Sequence, residues 1–200
     1  ILSDKGLLYP CFCTRKDIRE EINESTRAPH MGSKMGPEGL IYPGICRHLT
    51  DKEKEEKMNE GIPHALRIDL KKALSLVNEP LYWTDLRTGT QKAEPELMGD
   101  VVLARKDFPT SYHLSVVVDD DIQKITHIIR GEDLYYASHF QKLLQYLLNL
   151  KPVTYDHHPL LKTKDGNRLA KRDKSITINS IRESSKAPVD LGDMINEYLE

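Results

Sequence analysis

Three cysteines and two arginine-bearing stretches are the parts of this sequence best suited to chemistry. Cys11 and Cys13 form a C-x-C pair in Y-P-C-F-C-T-R, and Cys46 follows in Y-P-G-I-C-R-H. Three soft thiols offer most of a tetrahedral zinc site. Thiolates select zinc over hard cations, and a bound metal shields them from oxidation. Tyr42, His48, His30 or water could complete the set. A structural role is expected, because the intervening loop, rich in Gly, Pro, Ser and Met, has no core and a metal can close it. The alternative is three unrelated thiols.

Arg130 ends the apolar run Ile125–Ile129 and precedes Gly131, Glu132 and Asp133. A fixed cation at the carboxyl end of a strand can hold an anionic ligand, since open α/β sheets bind ligands there. A surface ion pair with Glu132 or Asp133 is the bland alternative. Farther on, K-T-K-D-G-N-R-L-A-K-R-D-K-S (162–175) sets Arg168, Lys171 and Arg172 behind an Asp165-Gly166 turn. Such a cationic loop suits the charge that grows on polyphosphate during phosphoryl or nucleotidyl transfer; a solvated basic turn is the alternative. His157 and His158 have no carboxylate or thiolate close in sequence, and read as strand or loop residues before metal ligands.

The elements that must carry these groups follow from periodicity. Val116–Val118 and Ile125–Ile129 are β-branched runs and predict strands, with Asp119–Lys124 as a polar connection and Gly131 as the turn after the second. Gly99–Arg105 and Thr110–Val118 bracket K-D-F-P, an expected loop with Pro109 inside it. The alternation of Leu66, Ile68 and Leu70 against Ala65, Arg67 and Asp69 predicts a half-buried strand over His64–Leu70. Leu81–Gly89 reads as a strand entering a turn. Thr14–Glu24 is expected to be a short helix capped by Thr14. The run Asp51–Glu60, D-K-E-K-E-E-K-M-N-E, is the solvated face of another. Phe140, Leu143, Leu144, Leu147 and Leu148 recur at helical spacing, so Ser138–Leu150 is an amphipathic helix stopped by Lys151-Pro152. Ile176–Arg182 and a helix over Pro188–Leu199 complete the chain.

Hydrophobic residues at 38% with 30% charged describe a soluble globular chain of one sizeable domain, or one with a small module. No apolar run approaches the roughly 20 residues that cross a bilayer, which sets membrane functions aside. Three cysteines make no disulfide framework, which points to a reducing cytoplasm. A net charge of −2 gives no global field for nucleic acid, so RNA must be met by a local patch. Ile1–Leu8 reads as the end of a helix with Gly6 as terminator, so an N-terminal part of the natural protein is expected to be missing.

Taken in order, C-x-C-T-R, Y-P-G-I-C-R, G-D-V-V-L-A-R-K-D, V-V-V-D-D, T-H-I-I-R-G-E-D-L, H-H-P-L-L and R-L-A-K-R-D resemble the glutamyl-tRNA-synthetase-like class I enzymes. The likeness runs from Leu2 to the C-terminus. Within that family it is greatest to the truncated branch that glutamylates queuosine in tRNA(Asp). The resemblance implies an α/β fold: part of a Rossmann-like doubly wound parallel sheet with an inserted zinc-binding subdomain. Residues 1–60 would hold the end of the first Rossmann half and the zinc insertion, and 61–135 an acceptor-like insertion and the return to the sheet. Residues 136–200 would hold the second half, the cationic loop and C-terminal helices. ATP, with Mg2+, would activate L-glutamate, and the glutamyl group would pass to queuosine in the anticodon of tRNA(Asp), in a cytoplasmic monomer.

The resemblance also implies roles. Tyr112 and Arg130 would bind glutamate, by a phenol hydrogen bond and a guanidinium fork on a carboxylate. Arg168, Leu169, Ala170, Lys171 and Arg172 would form the Lys-Met-Ser-Lys-Ser-type loop, with Arg168 and Lys171 on ATP. Cys11, Cys13, Tyr42 and Cys46 would hold structural zinc, with His48 as the competing fourth ligand. Ala170 stands where many relatives have Ser. The family's His-Ile-Gly-His-like signature is absent, so this stretch alone is not expected to be catalytic. With about 28 residues after the cationic loop, no helical anticodon-binding domain is expected, as the truncated branch would have it. A glutamyl-tRNA synthetase cut at both ends, and a non-catalytic zinc-stabilised RNA-binding module, are the alternatives.

Overall fold

The computed structural model describes residues 1–27, 35–37 and 39–160, with 179 and 183. Residues 168–172, the expected 176–182 segment apart from 179, the 188–199 helix and His30 lie outside the described residues.

The chain opens with a closed turn: Leu7 N donates to Leu2 O at 3.0 Å with Gly6 at φ +62°. This is the end geometry expected of a helix terminator. Strand β1, Leu8–Cys11, follows, then helix α1, Arg15–Arg27. Thr14 caps α1 reciprocally: Asp17 N donates to Thr14 Oγ1 at 3.2 Å, and Thr14 N to Asp17 Oδ2 at 2.7 Å. A small hairpin pairs β2, Met35–Gly36, with β3, Gly39–Leu40. Helix α2, Asp51–Asn59, is held by a Thr50–Glu53 capping box and buries no residue, as its charge pattern requires.

Strand β4, Ala65–Ile68, lies between β1 and β7, Val102–Ala104, in an antiparallel sheet of order β1-β4-β7. A register shift at Leu66/Arg67 breaks the alternation, so Ala65 and Ile68 are the buried pair, while Leu70 begins the short helix α3, Leu70–Leu74.

Beyond α3 the second sheet begins. Strand β5, Tyr82–Asp85, turns into β6, Gly89–Lys92. After β7 comes helix α4, Tyr112–Ile122, where a strand over Val116–Val118 was expected. β-Branching costs a helix only about half a kcal/mol per residue. Here it is overridden by packing: Val117 is buried in one core with Phe140, Leu143 and Leu144. Leu114 and Val116 pack against the same cluster.

Helix α4 closes through Lys124, a non-glycine residue at φ +58°, with Ile125 N donating to Asp120 O at 2.9 Å. Left-handed backbone strains a residue that carries Cβ. Lys124→Gly is therefore expected to stabilise the fold by about 0.5–1 kcal/mol, read as a raised denaturation midpoint at unchanged m-value.

Strand β8, His127–Gly131, helix α5, Tyr135–Leu148, and strand β9, Thr154–His158, complete the described architecture. The second sheet has the order β6-β5-β9-β8, with β5, β9 and β8 parallel and β6 antiparallel at the edge. The class is α/β with mixed sheets. α5 covers the sheet face that carries Trp83 and Tyr155, while Tyr82 and Ile129 on the other face are 53% and 73% exposed. A second helical layer, as a doubly wound sheet carries, is not found among the described residues. α5 starts earlier than expected, at Tyr135, so Ser138 is an internal, fully buried residue. No helix among the described residues is long and apolar enough to cross a membrane.

Candidate functional site

The turn that carries Cys46 follows from Pro43 and Gly44. Gly44 sits at φ +91° and ψ 18°, close to the second central position of a type II turn, with Pro before it. A side chain there would also meet the Arg47 guanidinium at 2.8 Å. The turn returns Cys46 toward Tyr42, whose hydroxyl accepts from Cys46 N at 2.9 Å. Strand β1 supplies Cys11 at its last residue, with Cys13 two residues on.

All three sulfurs lie within 4.8 Å of one another. Cys13 Sγ is 3.4 Å from Cys46 Sγ, and Tyr42 Oη is 3.4 Å from both Cys11 Sγ and Cys13 Sγ. Bonds of about 2.3 Å to sulfur and 2.0 Å to oxygen give tetrahedron edges of about 3.5–3.8 Å, so this donor set fits a zinc ion. His48 is exposed and is not part of the cluster. Hydrogen bonding to Cys46, then burial, push the Cys11 thiol up to about 12. The bond from Cys11 leads the causes that hold Cys46 down near 6, against its burial. One thiolate is thus already favoured among the three.

Tyr42 is fixed from behind. The Arg67 guanidinium lies 3.9 Å from its ring centre, and Arg67 Nη1 donates to Asp100 O at 2.7 Å. The buried Asp100 carboxylate accepts from Tyr9 Oη at 2.6 Å, Arg47 Nη1 at 2.8 Å and Leu70 N at 3.1 Å. One carboxylate therefore ties both cysteine-bearing segments to the antiparallel sheet.

The second constellation lies at the carboxyl ends of the parallel strands. Asp85 ends β5, Arg130 is the penultimate residue of β8 and His157 that of β9. Parallel pairing puts Arg130 in register with His157. The Arg130 guanidinium points inward: Nε donates to His157 Nε2 at 3.1 Å, and Nη2 to Ser138 Oγ at 2.6 Å and Leu134 O at 3.2 Å. Nη1 donates to Tyr112 Oη at 3.3 Å. These four bonds leave one of five guanidinium N–H groups, on the Nη1 corner beside Tyr112, for a ligand. The Nε–Nη2 fork is spent on the protein. Glu132 instead accepts from Leu160 N at 3.4 Å, so the geometry is not that of a local surface pair.

Tyr112, the first residue of α4, is 46% exposed, so this corner opens to solvent. Gly131 has an ordinary φ of −69°. It serves close approach and not turning: an added Cβ would meet Asp133 Oδ1 at 2.5 Å and Leu160 Cδ2 at 2.9 Å.

Asp85 and His157 were not singled out as a pair by the sequence. His157 Nδ1 and the His157 backbone N lie 2.7 and 3.1 Å from Asp85 Oδ2. Asp85 Oδ1 accepts from Arg87 N and Thr88 N, each at 2.9 Å. Burial acts to raise the Asp85 carboxyl, but these bonds, led by that from His157, outweigh it and lower it to about 2. Burial holds His157 below its ordinary value, with Asp85 opposing. An ionised carboxylate beside a neutral imidazole follows. Asp85 ending a strand before L-R-T-G was the available signal, since such a carboxylate caps the turn that follows.

The model of the tRNA synthetases class I (E and Q) catalytic domain matches residues 1–196. A Glutamyl-Q tRNA(Asp) synthetase of Rhodobacter capsulatus is 39% identical over 201 residues, covering 97% of this chain and 68% of that protein. One from Symbiobacterium thermophilum is 37% identical over 187 residues, covering 94% of this chain and 54% of that protein. Glutamate--tRNA ligase 2 of Syntrophus aciditrophicus is 30% identical, covering 94% of this chain and 36% of that protein. The chain thus spans from about half to two thirds of the Glutamyl-Q relatives. A glutamate-tRNA synthetase structure from Elizabethkingia anophelis superposes with a TM-score of 0.66 at 22% identity, over 86% of this chain and 34% of that one, a likeness of fold.

Proposed function

Because the chain belongs to the class I tRNA synthetase (E and Q) catalytic-domain family, we propose that it is part of an enzyme that activates L-glutamate with ATP and transfers the glutamyl group to queuosine in the anticodon of tRNA(Asp). The Tyr112–Arg130 pair at the carboxyl ends of the parallel strands carries this reading. It is supported by likeness to Glutamyl-Q tRNA(Asp) synthetases at 36–39% identity. In it, one glutamate carboxylate takes the Nη1 corner of Arg130 and the Tyr112 hydroxyl. The other edge of the guanidinium stays on the protein, which fixes its direction. Activation joins a carboxylate oxygen of glutamate to the α-phosphorus of ATP and releases pyrophosphate. Arg168 and Lys171, in the loop of residues 168–172, would carry the phosphate charge with Mg2+.

Zinc, when bound by Cys11, Cys13, Tyr42 and Cys46, supplies a structural cross-link and no chemistry on the substrates. The cluster's residues close the segment between β1 and α2 onto the antiparallel sheet. Transfer to tRNA(Glu) is the second reading, favoured by the 30% identity to a glutamate--tRNA ligase.

A transfer assay on the full-length protein, with radiolabelled glutamate and ATP, separates the two. The expected result is label on tRNA(Asp) bearing queuosine and none on the same tRNA without it. Label on tRNA(Glu) would establish the ligase reading, and the absence of both label and adenylate would overturn synthetase activity altogether.

A further inference from the structure

We propose that Asp85 and His157 are positioning residues for the glutamate-binding guanidinium: a carboxylate–imidazole–guanidinium chain across three neighbouring strands aims Arg130 at its ligand. This rests on the reading that Arg130 holds glutamate.

The proton positions follow from donor chemistry. Arg130 Nε–H can only donate, so His157 Nε2, 3.1 Å away, must present a lone pair. The ring proton then sits on Nδ1 and is donated to Asp85 Oδ2 at 2.7 Å. Asp85 fixes the tautomer, and the tautomer fixes the acceptor that Arg130 meets. An imidazolium would set N–H against N–H and turn the guanidinium away.

The ring itself has little freedom. It stacks on Tyr155 at 5.5 Å and meets Trp83 and Tyr135 edge-on at 5.8 and 5.2 Å. Both Asp85 and His157 are buried, at 1% and 5% exposure, so neither meets the ligand directly. Their effect must pass through Arg130. Strand order β5-β9-β8 is what makes the chain possible, since it sets the three side chains side by side.

Two measurements test this. The first is 15N NMR of the His157 ring in the wild-type full-length protein at neutral pH. The expected state is neutral with Nδ1 protonated; an Nε2-protonated ring or an imidazolium would overturn the proposal, with no variant needed.

The second is pyrophosphate exchange with His157→Leu, alone and combined with Arg130→Ala. His157→Leu is expected to raise the glutamate KM about 10- to 100-fold while the ATP KM moves less than about twofold. His157→Gln, which keeps an acceptor, should recover most of the loss. In the Arg130→Ala background His157→Leu should add less than about twofold, because the group through which it acts is gone.

Equal losses in both backgrounds, or glutamate and ATP affected alike, would mean a merely structural histidine and overturn the proposal. An unaltered glutamate KM in Arg130→Ala alone would instead sink the underlying site reading, and the inference with it.

Discussion

Arg130→Ala in the full-length protein will lower kcat/KM for glutamate by about 10²–10³-fold, with the KM for ATP nearly unchanged. The size follows from what the side chain holds. Truncating one partner of a buried, hydrogen-bonded charge pair costs about 2–5 kcal/mol, and each 1.4 kcal/mol is about tenfold. Here the truncation removes the cation proposed to face glutamate. It also takes one donor away from each of His157 Nε2, Ser138 Oγ and Leu134 O. Arg130→Lys will recover little, because an ammonium cannot reach the imidazole, the serine and the Tyr112 side in one plane. Steady-state pyrophosphate exchange at varied glutamate, then varied ATP, measures both effects. A variant with wild-type glutamate kinetics would remove Arg130 from the site.

The second large effect concerns metal. Cys13→Ser will bring bound zinc from about one ion per chain to near none after dialysis, and destabilise the region from Tyr9 to Leu49 by about 3 kcal/mol or more. The thiol is half-buried and lies 3.4 Å from both Cys46 Sγ and Tyr42 Oη, so its loss opens one corner of the cluster. Zinc content by atomic absorption reads the first effect, and hydrogen exchange over β1 and the Tyr42–Cys46 turn reads the second. Full zinc content in Cys13→Ser would take that residue out of the ligand set. Tyr42→Phe and His48→Ala, run beside it, decide the fourth ligand: the tyrosine variant should weaken zinc retention and the histidine variant leave it alone.

Much of this was legible in residue order, but unevenly. The β5 turn, α1 with its Thr14 cap, the charged face of α2 and the apolar stripe of α5 are local patterns, and local patterns survive folding when tertiary contacts agree with them. α4 is the opposite case. Its Val116–Val118 trio carries a strand preference, and the burial of Val117 against α5, with Leu114 and Val116 packed on the same cluster, reverses it. Arg130 could be placed at a strand end from its neighbours alone. What it touches could not, since Ser138 belongs to a helix that begins earlier than its spacing implied, and His157 arrives from β9.

The Asp85–His157 link spans 72 positions and exists only because β9 lies between β5 and β8. No one-dimensional pattern encodes strand order. The cysteine cluster sits between these extremes: thiol spacing announced it, while the place of Tyr42 among the sulfurs came from the Pro43–Gly44 turn.

Helix α5 has one more property, in the way the protein comes apart. Phe140, Leu143, Leu144 and Leu147 bury one side of it in the core shared with the antiparallel sheet. Ser138, His139 and Gln141 meet His157, Trp83 and Tyr155 of the parallel sheet on the other. Neither sheet can shed the helix without exposing apolar surface of its own. The two halves must therefore melt as one cooperative unit, with the α5 amides exchanging only at the full free energy of unfolding. A party wall of this kind makes the parallel strands as stable as the antiparallel sheet behind them.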